Sequence, residues 1–211
     1  MPSVIDLSPE APLHIVGDLV GWEEKLTSGL VPYDLSKAFS NESLWLDGKV
    51  MPDRLVIDKR REWMPDGFRS QDAILVASSK AREIIESHDP GVHQFFPLEV
   101  TWRNGEPVGG EWFSFNVYAR QDSIVIEQSA LEESGGPATK HRPAMPVTYR
   151  MNHHKKDVTL NESRLGALNL WREQKVNESL LCSNALHDAF KAEGLRFFRS
   201  FKTKAAQVSA R

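Results

Sequence analysis

His153 and His154, side by side, are the nearest this chain comes to a metal pair. Imidazoles are ordinary zinc ligands, yet adjacent residues on a strand point to opposite faces, and no carboxylate or third histidine stands at metal-site spacing around them. No metal site is expected there. Cys182 and His187, five apart, are the residue types of a thiol nucleophile and its base. Carboxylate pairs such as Glu23-Glu24 and Glu132-Glu133 have the chemistry for acid/base work, but such pairs are common on solvated surfaces. The chain has no Gly-x-Ser-x-Gly elbow, no His-Glu-x-x-His helix and no phosphate loop, because Ser134-Gly135-Gly136-Pro137 lacks a strand-to-helix setting. The sequence therefore implies no catalytic residues and no cofactor.

The elements that would position these residues show a pattern that occurs twice. Residues 75–96 (LVASSKAREIIESHDPGVHQFF) and 180–198 (LLCSNALHDAFKAEGLRFF) each read as strand, Ser, short amphipathic helix, Gly and Phe-Phe. At an offset of 105, Ser78 matches Ser183, Ala81 Leu186, Glu83 Asp188, Ile84 Ala189 and Ile85 Phe190, while Gly91 matches Gly194 at 103. A Ser before the helix caps it by accepting from an unpaired amide, the apolar residues fall on one face, and Asp89-Pro90-Gly91 stops the first helix. The repetition bears on chemistry as well. The first unit places Ala77 and Arg82 where the second has Cys182 and His187, so those two read as scaffold, with the cysteine a small buried hydrophobe.

Around the two units the remaining chain reads mostly as strands and loops. Residues 1–65 are an irregular N-terminal region in which Val31 to Leu35 and Ser43 to Leu46 are short apolar pieces and DRLVID (53–58) alternates like a short strand. Trp22, Trp45 and Trp63 lie there and read as packing residues, any of which could instead anchor an interface. Residues 64–72 read as a loop by their Pro, Gly and Asp content. Past Gly91 an antiparallel meander is expected: Phe96, Leu98, Val100 and Trp102 alternate, Asn104-Gly105 turns, and Glu111 to Ala119 and Ser123 to Glu127 are two more strands. Pro97 makes the first of these an edge or bulged strand. Residues 132–147 have the Gly, Pro and polar content of a long surface loop, Leu165 to Trp171 reads as a strand, and Arg172 to Asn177 as a turn. Phe197 and Phe201 belong to a final strand, and residues 202–211 to a frayed tail.

With 211 residues, 40% of them hydrophobic and 26% charged, the chain has the composition of one soluble globular domain. No apolar run approaches the roughly 20 residues of a membrane-spanning helix, and the start, MPSVIDLSPEAP, does not resemble a signal peptide. Those features, with a single cysteine, point to a cytoplasmic protein without disulfides. The net charge of −3 is unevenly spread: residues 1–100 carry 17 acidic against 10 basic side chains, residues 101–211 carry 12 against 16. Neither half is basic enough for nucleic-acid binding, and an acidic face would speed encounter with a basic partner.

The stretches ILVASSKAREII, GVHQFFPLEV and NLWREQKVNESLLCSNALHDAFKAEGLRFF resemble immunity protein family 11, a bacterial group linked to polymorphic toxin systems. The resemblance covers about residues 70–200, within an immunity-like core at 66–201. It implies a non-enzymatic inhibitor that binds a cognate toxin domain, occludes its active site and protects the producing cell. An α+β fold is expected, with an antiparallel sheet, two short helices from two similar strand-helix-strand units, and the irregular N-terminal region. The expected contact residues are Glu23, Glu24, Trp63, Glu132 and Glu133, the last two on a loop at 131–142. The competing readings are a metal-assisted hydrolase built on His153, His154 and a distant carboxylate, and a small-molecule-binding regulatory domain.

Overall fold

The computed structural model describes residues 1–5, 14–20, 44–70, 74–136, 145–152, 157–177, 179–197 and 200–206. Its strands, in chain order, are β1 (Ser3–Ile5), β2 (His14–Ile15), β3 (Gly17–Val20), β4 (Arg54–Ile57), β5 (Gly67–Ser70), β6 (Leu75–Ser78), β7 (Gln94–Trp102), β8 (Trp112–Asn116), β9 (Arg120–Gln121), β10 (Leu131–Gly136), β11 (Met145–Met151), β12 (Thr159–Asn161), β13 (Leu170–Glu173), β14 (Val176–Asn177), β15 (Leu181–Cys182), β16 (Ser200–Lys202) and β17 (Lys204–Ala206). The two described helices are α1 (Ser79–His88) and α2 (Asn184–Ala192), which makes an α+β protein dominated by strands.

Both helices arise where the doubled pattern places them. Ser78 accepts from the Ala81 amide at 3.2 Å and Ser183 from the Leu186 amide at 3.1 Å, so each serine satisfies an amide that the first helical turn leaves unpaired. The buried helix residues are Ala81 and Ile85 in α1, and Leu186 and Phe190 in α2, which are the matched positions of the two units. Gly91 and Gly194 follow the helices at φ of 70° and 65°, a conformation costly for a residue with a Cβ. The two stripes do not face separate cores. They share one with Ile5, Leu75, Ala77, Phe115, Leu170, Leu180, Cys182 and Phe197.

The largest sheet has seven strands in the order β2-β5-β6-β8-β7-β4-β3. Its edge strands are consecutive in sequence, with only Val16 between them, and the Val16 carbonyl accepts from the Asp58 amide at 3.2 Å. Residues 14–20 therefore run along both edges at once, and the sheet curls back on itself. The seam is tight at Gly17, where a Cβ would stand 2.5 Å from the Val56 carbonyl oxygen. Inside the curl pack Ile15, Leu55, Ile57, Phe68, Val76, Leu98, Val100, Trp102 and Trp112, and the segment Leu46–Met51 plugs one side with Leu46, Val50 and Met51.

This sheet is mixed rather than a simple antiparallel meander. β7 and β8 pair antiparallel as expected, but β4 runs parallel to β7 and β2 parallel to β5. Residues 123–127 form no strand: Ile124 makes one isolated bridge to Leu160, and a 3-10 turn occupies Ile126–Gln128. Pro97 lies on the part of β7 that precedes its pairing with β4, which begins at Glu99, so its missing N–H falls on a locally open edge.

A second sheet, β16-β1-β15-β13-β9, inserts Ser3–Ile5 between strands from the far end of the chain. The N-terminal region is thus less irregular than its composition suggests, since β1 and β4 are central strands; Val31 to Leu35 lies outside the described residues. DRLVID does contain the short strand β4. Regular pairing in the Leu165 to Trp171 stretch begins only at Leu170, and the expected turn at 172–177 includes the end of β13 and all of β14. Instead of fraying from 202, the chain pairs Lys204–Ala206 parallel with Thr159–Asn161.

Phe197 connects the two sheets. Its ring stacks on Phe190 at 4.2 Å and covers Gly67 so closely that a Cβ there would stand 2.2 Å from the ring. Gly67→Ala should therefore push Phe197 from its seat and cost about 1–3 kcal/mol in urea unfolding, by overpacking. The double variant with Phe197→Ala should lose less than the sum of the two single variants.

Candidate partner-binding surface

The reactive-residue candidates resolve first. Cys182 and His187 border one small hollow with Phe190, Lys191 and Leu195, so the structure does bring them near each other. The thiol is 1% exposed, and burial pushes its pKa up to about 12, which keeps it protonated at neutral pH. His187 instead approaches Asp188, with Nδ1 and Oδ1 3.3 Å apart. A protonated, buried thiol is no nucleophile. His153 and His154 lie outside the described residues, and among those described no three His, Cys, Asp or Glu side chains gather as a metal site.

The buried ionisable groups hold the scaffold. Asp89, 4% exposed, lies just past α1, where its carboxylate accepts from the amides of Asn169 and Leu170 (2.7–3.0 Å) and from Asn169 Nδ2 (3.2 Å). His93 Nε2 stands 3.5 Å from it. Burial alone would raise this carboxyl, but the donors from His93, Asn169 and Leu170 outweigh it and hold the group below its ordinary value. Asn169 Oδ1 in turn accepts from Ser183 Oγ at 2.7 Å, so the end of the first helix is hydrogen-bonded through one asparagine to the cap of the second.

Glu173 is also buried, at 2% exposure, and accepts from the Ser123 amide and hydroxyl, the Ile124 amide and Trp171 Nε1. Burial raises its pKa against the pull of those donors. Arg120 is depressed to about 10 by burial, with its guanidinium donating to the Val117, Tyr118 and Ala119 carbonyls. Sequence reasoning missed Asn169, Glu173 and Arg120 because their partners lie close in space and far apart along the chain, or on the backbone.

The expected contact residues fall in separate places. Glu132 and Glu133 are exposed, but they sit on a strand rather than on a loop: β10 pairs with β11, Glu132 opposite Arg150 and Glu133 opposite Tyr149. The Gly and Pro content of 132–147 marks a hairpin, with a register shift between Ser134 and Gly136 and residues 137–144 outside the described residues. Glu23, Glu24 and Trp22 also lie outside them. Trp45 and Trp63, read as packing residues, are 58% and 45% exposed. Trp45 meets Tyr118 edge to face at 5.3 Å, and Trp63 lies beneath the Arg196 guanidinium at 4.1 Å. No described contact joins Trp63 to Glu132 or Glu133.

The model of a known family, described as an immunity protein family (Imm11), matches residues 33–204. The chain belongs to that family. The match takes in both helical units, β4 to β16 and, among the described residues, both exposed aromatic side chains, Trp45 and Trp63. No curated protein matches the chain. For an Imm11 chain the family suggests an immunity role and a toxin partner, which directs attention to exposed side chains. No helix among the described residues is long and apolar enough to cross a membrane.

Two outcomes follow for the buried groups. Cys182 should resist thiol reagents in the native protein at pH 8 and react once the chain is unfolded. Because the Asp89 carboxyl is depressed on folding, its stabilisation is present above the ordinary carboxylate range, about pH 4, and is lost as pH falls through the folded value. Asp89→Asn should therefore cost about 1–3 kcal/mol at pH 7, and the gap to wild type in denaturant melts should narrow toward pH 3.

Proposed function

We propose that this chain is an immunity protein that binds a cognate toxin domain and neutralises it by covering the toxin's active site, without catalysis of its own. The family match over residues 33–204 carries this reading. It fits a molecule whose buried ionisable groups are engaged in holding strands and helices together, and whose one thiol is protonated. It fits also a surface that exposes large aromatic side chains on a closely packed frame, since Trp and Tyr are the residue types on which binding energy concentrates. In this reading the inhibitor works in the cytoplasm of the producing cell. Glu132 and Glu133, on the β10 edge, and Trp63, beneath Arg196, are the described contact residues of this reading, with Glu23 and Glu24 completing it.

The test is to read the neighbouring reading frames for a large gene with a short toxic tail and to co-express that tail with this protein. Rescue of growth and copurification of the two chains are the expected outcome; a toxin that kills equally with and without this protein, and does not copurify, would remove the immunity reading.

A further inference from the structure

Trp63 and Arg196 form an exposed pair whose geometry is set from below. The Arg196 amide donates to Asp66 Oδ2 at 2.9 Å, the Asp66 amide donates back to the Arg196 carbonyl at 2.9 Å, and Ser78 Oγ donates to Asp66 Oδ1 at 3.0 Å. The next residue along each chain segment is fixed too, since Phe197 is seated on Gly67. The backbone at Arg196, and at Asp66 three residues past Trp63, is therefore held by the N-cap of α1 and by the aromatic contact between the sheets. Above it the guanidinium lies 4.1 Å from the indole ring.

The charge of Arg196 is not paired within the described chain. Arg54, Arg60, Arg82 and Arg103 each meet a carboxylate of this chain: Glu99, Glu106, Glu86 and Asp58. Arg196 meets none among the described residues. Asp66, which its backbone meets, is already engaged by the Ser78 hydroxyl and the Arg196 amide, and Glu193, three residues earlier, pairs with Lys80 Nζ at 3.2 Å. An exposed guanidinium stacked on an indole keeps its fork of N–H donors turned outward, and that fork matches a carboxylate in bidentate fashion.

We infer that Trp63 and Arg196 are a docking platform for a carboxylate side chain of the toxin, with the indole packing against the apolar part of the same partner segment. The inference rests on the immunity reading and adds to it a place and a chemistry. The platform is pre-organised, so binding loses little rotamer freedom on this side of the interface. It also sits apart from Glu132 and Glu133, which would have to face cationic groups of the partner.

Affinity for the toxin domain that the co-expression test identifies tests this, measured by calorimetry at low and high salt with the full chain. Wild type should bind, and its affinity should fall as salt rises. Arg196→Gln should lose at least tenfold in affinity and keep less of the salt dependence, Arg196→Lys should lose less, and Trp63→Ala should lose about tenfold. Lys204→Gln, which removes an exposed cation paired with Asp157 on another sheet, should bind as wild type does. Thermal melts of each variant identify any loss that comes from unfolding, and an Arg196→Gln variant that is folded and binds normally overturns the platform. So does an affinity loss that is the same at both salt concentrations, because the group recognised would then not be a carboxylate. If the wild-type chain itself fails to bind, the immunity reading and the platform fall together, whereas normal wild-type binding with indifferent variants removes the platform alone.

Discussion

The carboxylate of Asp89 holds the two helical units in one arrangement. It lies where α1 ends, takes the amides of Asn169 and Leu170 at the start of β13, and through Asn169 reaches the serine that begins α2. A carboxylate this buried is costly to bring out of water unless several donors surround it, and here they do. The same group stops one helix, positions a central strand and orients the cap of the other helix. The shared apolar core of α1 and α2 depends on that alignment, because Ile85 and Phe190 meet over one set of strand residues.

What was legible in the sequence was local. Ser78 and Ser183 as caps, the stripes at Ala81, Ile85, Leu186 and Phe190, and the glycines that follow can all be read within one window, because their hydrogen bonds and faces are set a few residues away. DRLVID as a strand was legible for the same reason. The curl of the large sheet was not: it depends on residues 14–20 meeting β4 on one side and β5 on the other, and no local period encodes which strands pair. The hairpin of β10 and β11 was hidden by glycine and proline that read as a loop.

The candidate surface was legible in part. Trp63 is read from the sequence as a packing residue that could anchor an interface, but its exposure and its Arg196 partner, more than a hundred residues later, are tertiary facts. The resemblance over residues 70–200 agrees with the family match over 33–204, and it rests on the helical units and not on any invariant polar set. In a protein of this kind the repeated units supply rigidity, and distinctive chemistry is left to the side chains around them. The ion pairs across β4 and β7, such as Arg54 with Glu99, are solvated and contribute little each, of order 1 kcal/mol or less.

The placement of β1 has a kinetic consequence. Ser3–Ile5 pairs with Leu181–Cys182 on one side and Ser200–Lys202 on the other, so the centre of the five-stranded sheet joins segments separated by nearly the whole chain. Contacts of such long sequence separation form late, since the loop they close is large and its entropy must be overcome before any pairing is gained. On the ribosome the strand at residues 3–5 waits, unpaired, until residues near 181 have emerged, and gains its second neighbour only when those near 200 follow. Phe197, which follows the second helix, then completes the core that both helices share. The curled sheet draws on residues 14–116 alone, so it has the means to form first and to act as the template on which the late strands assemble.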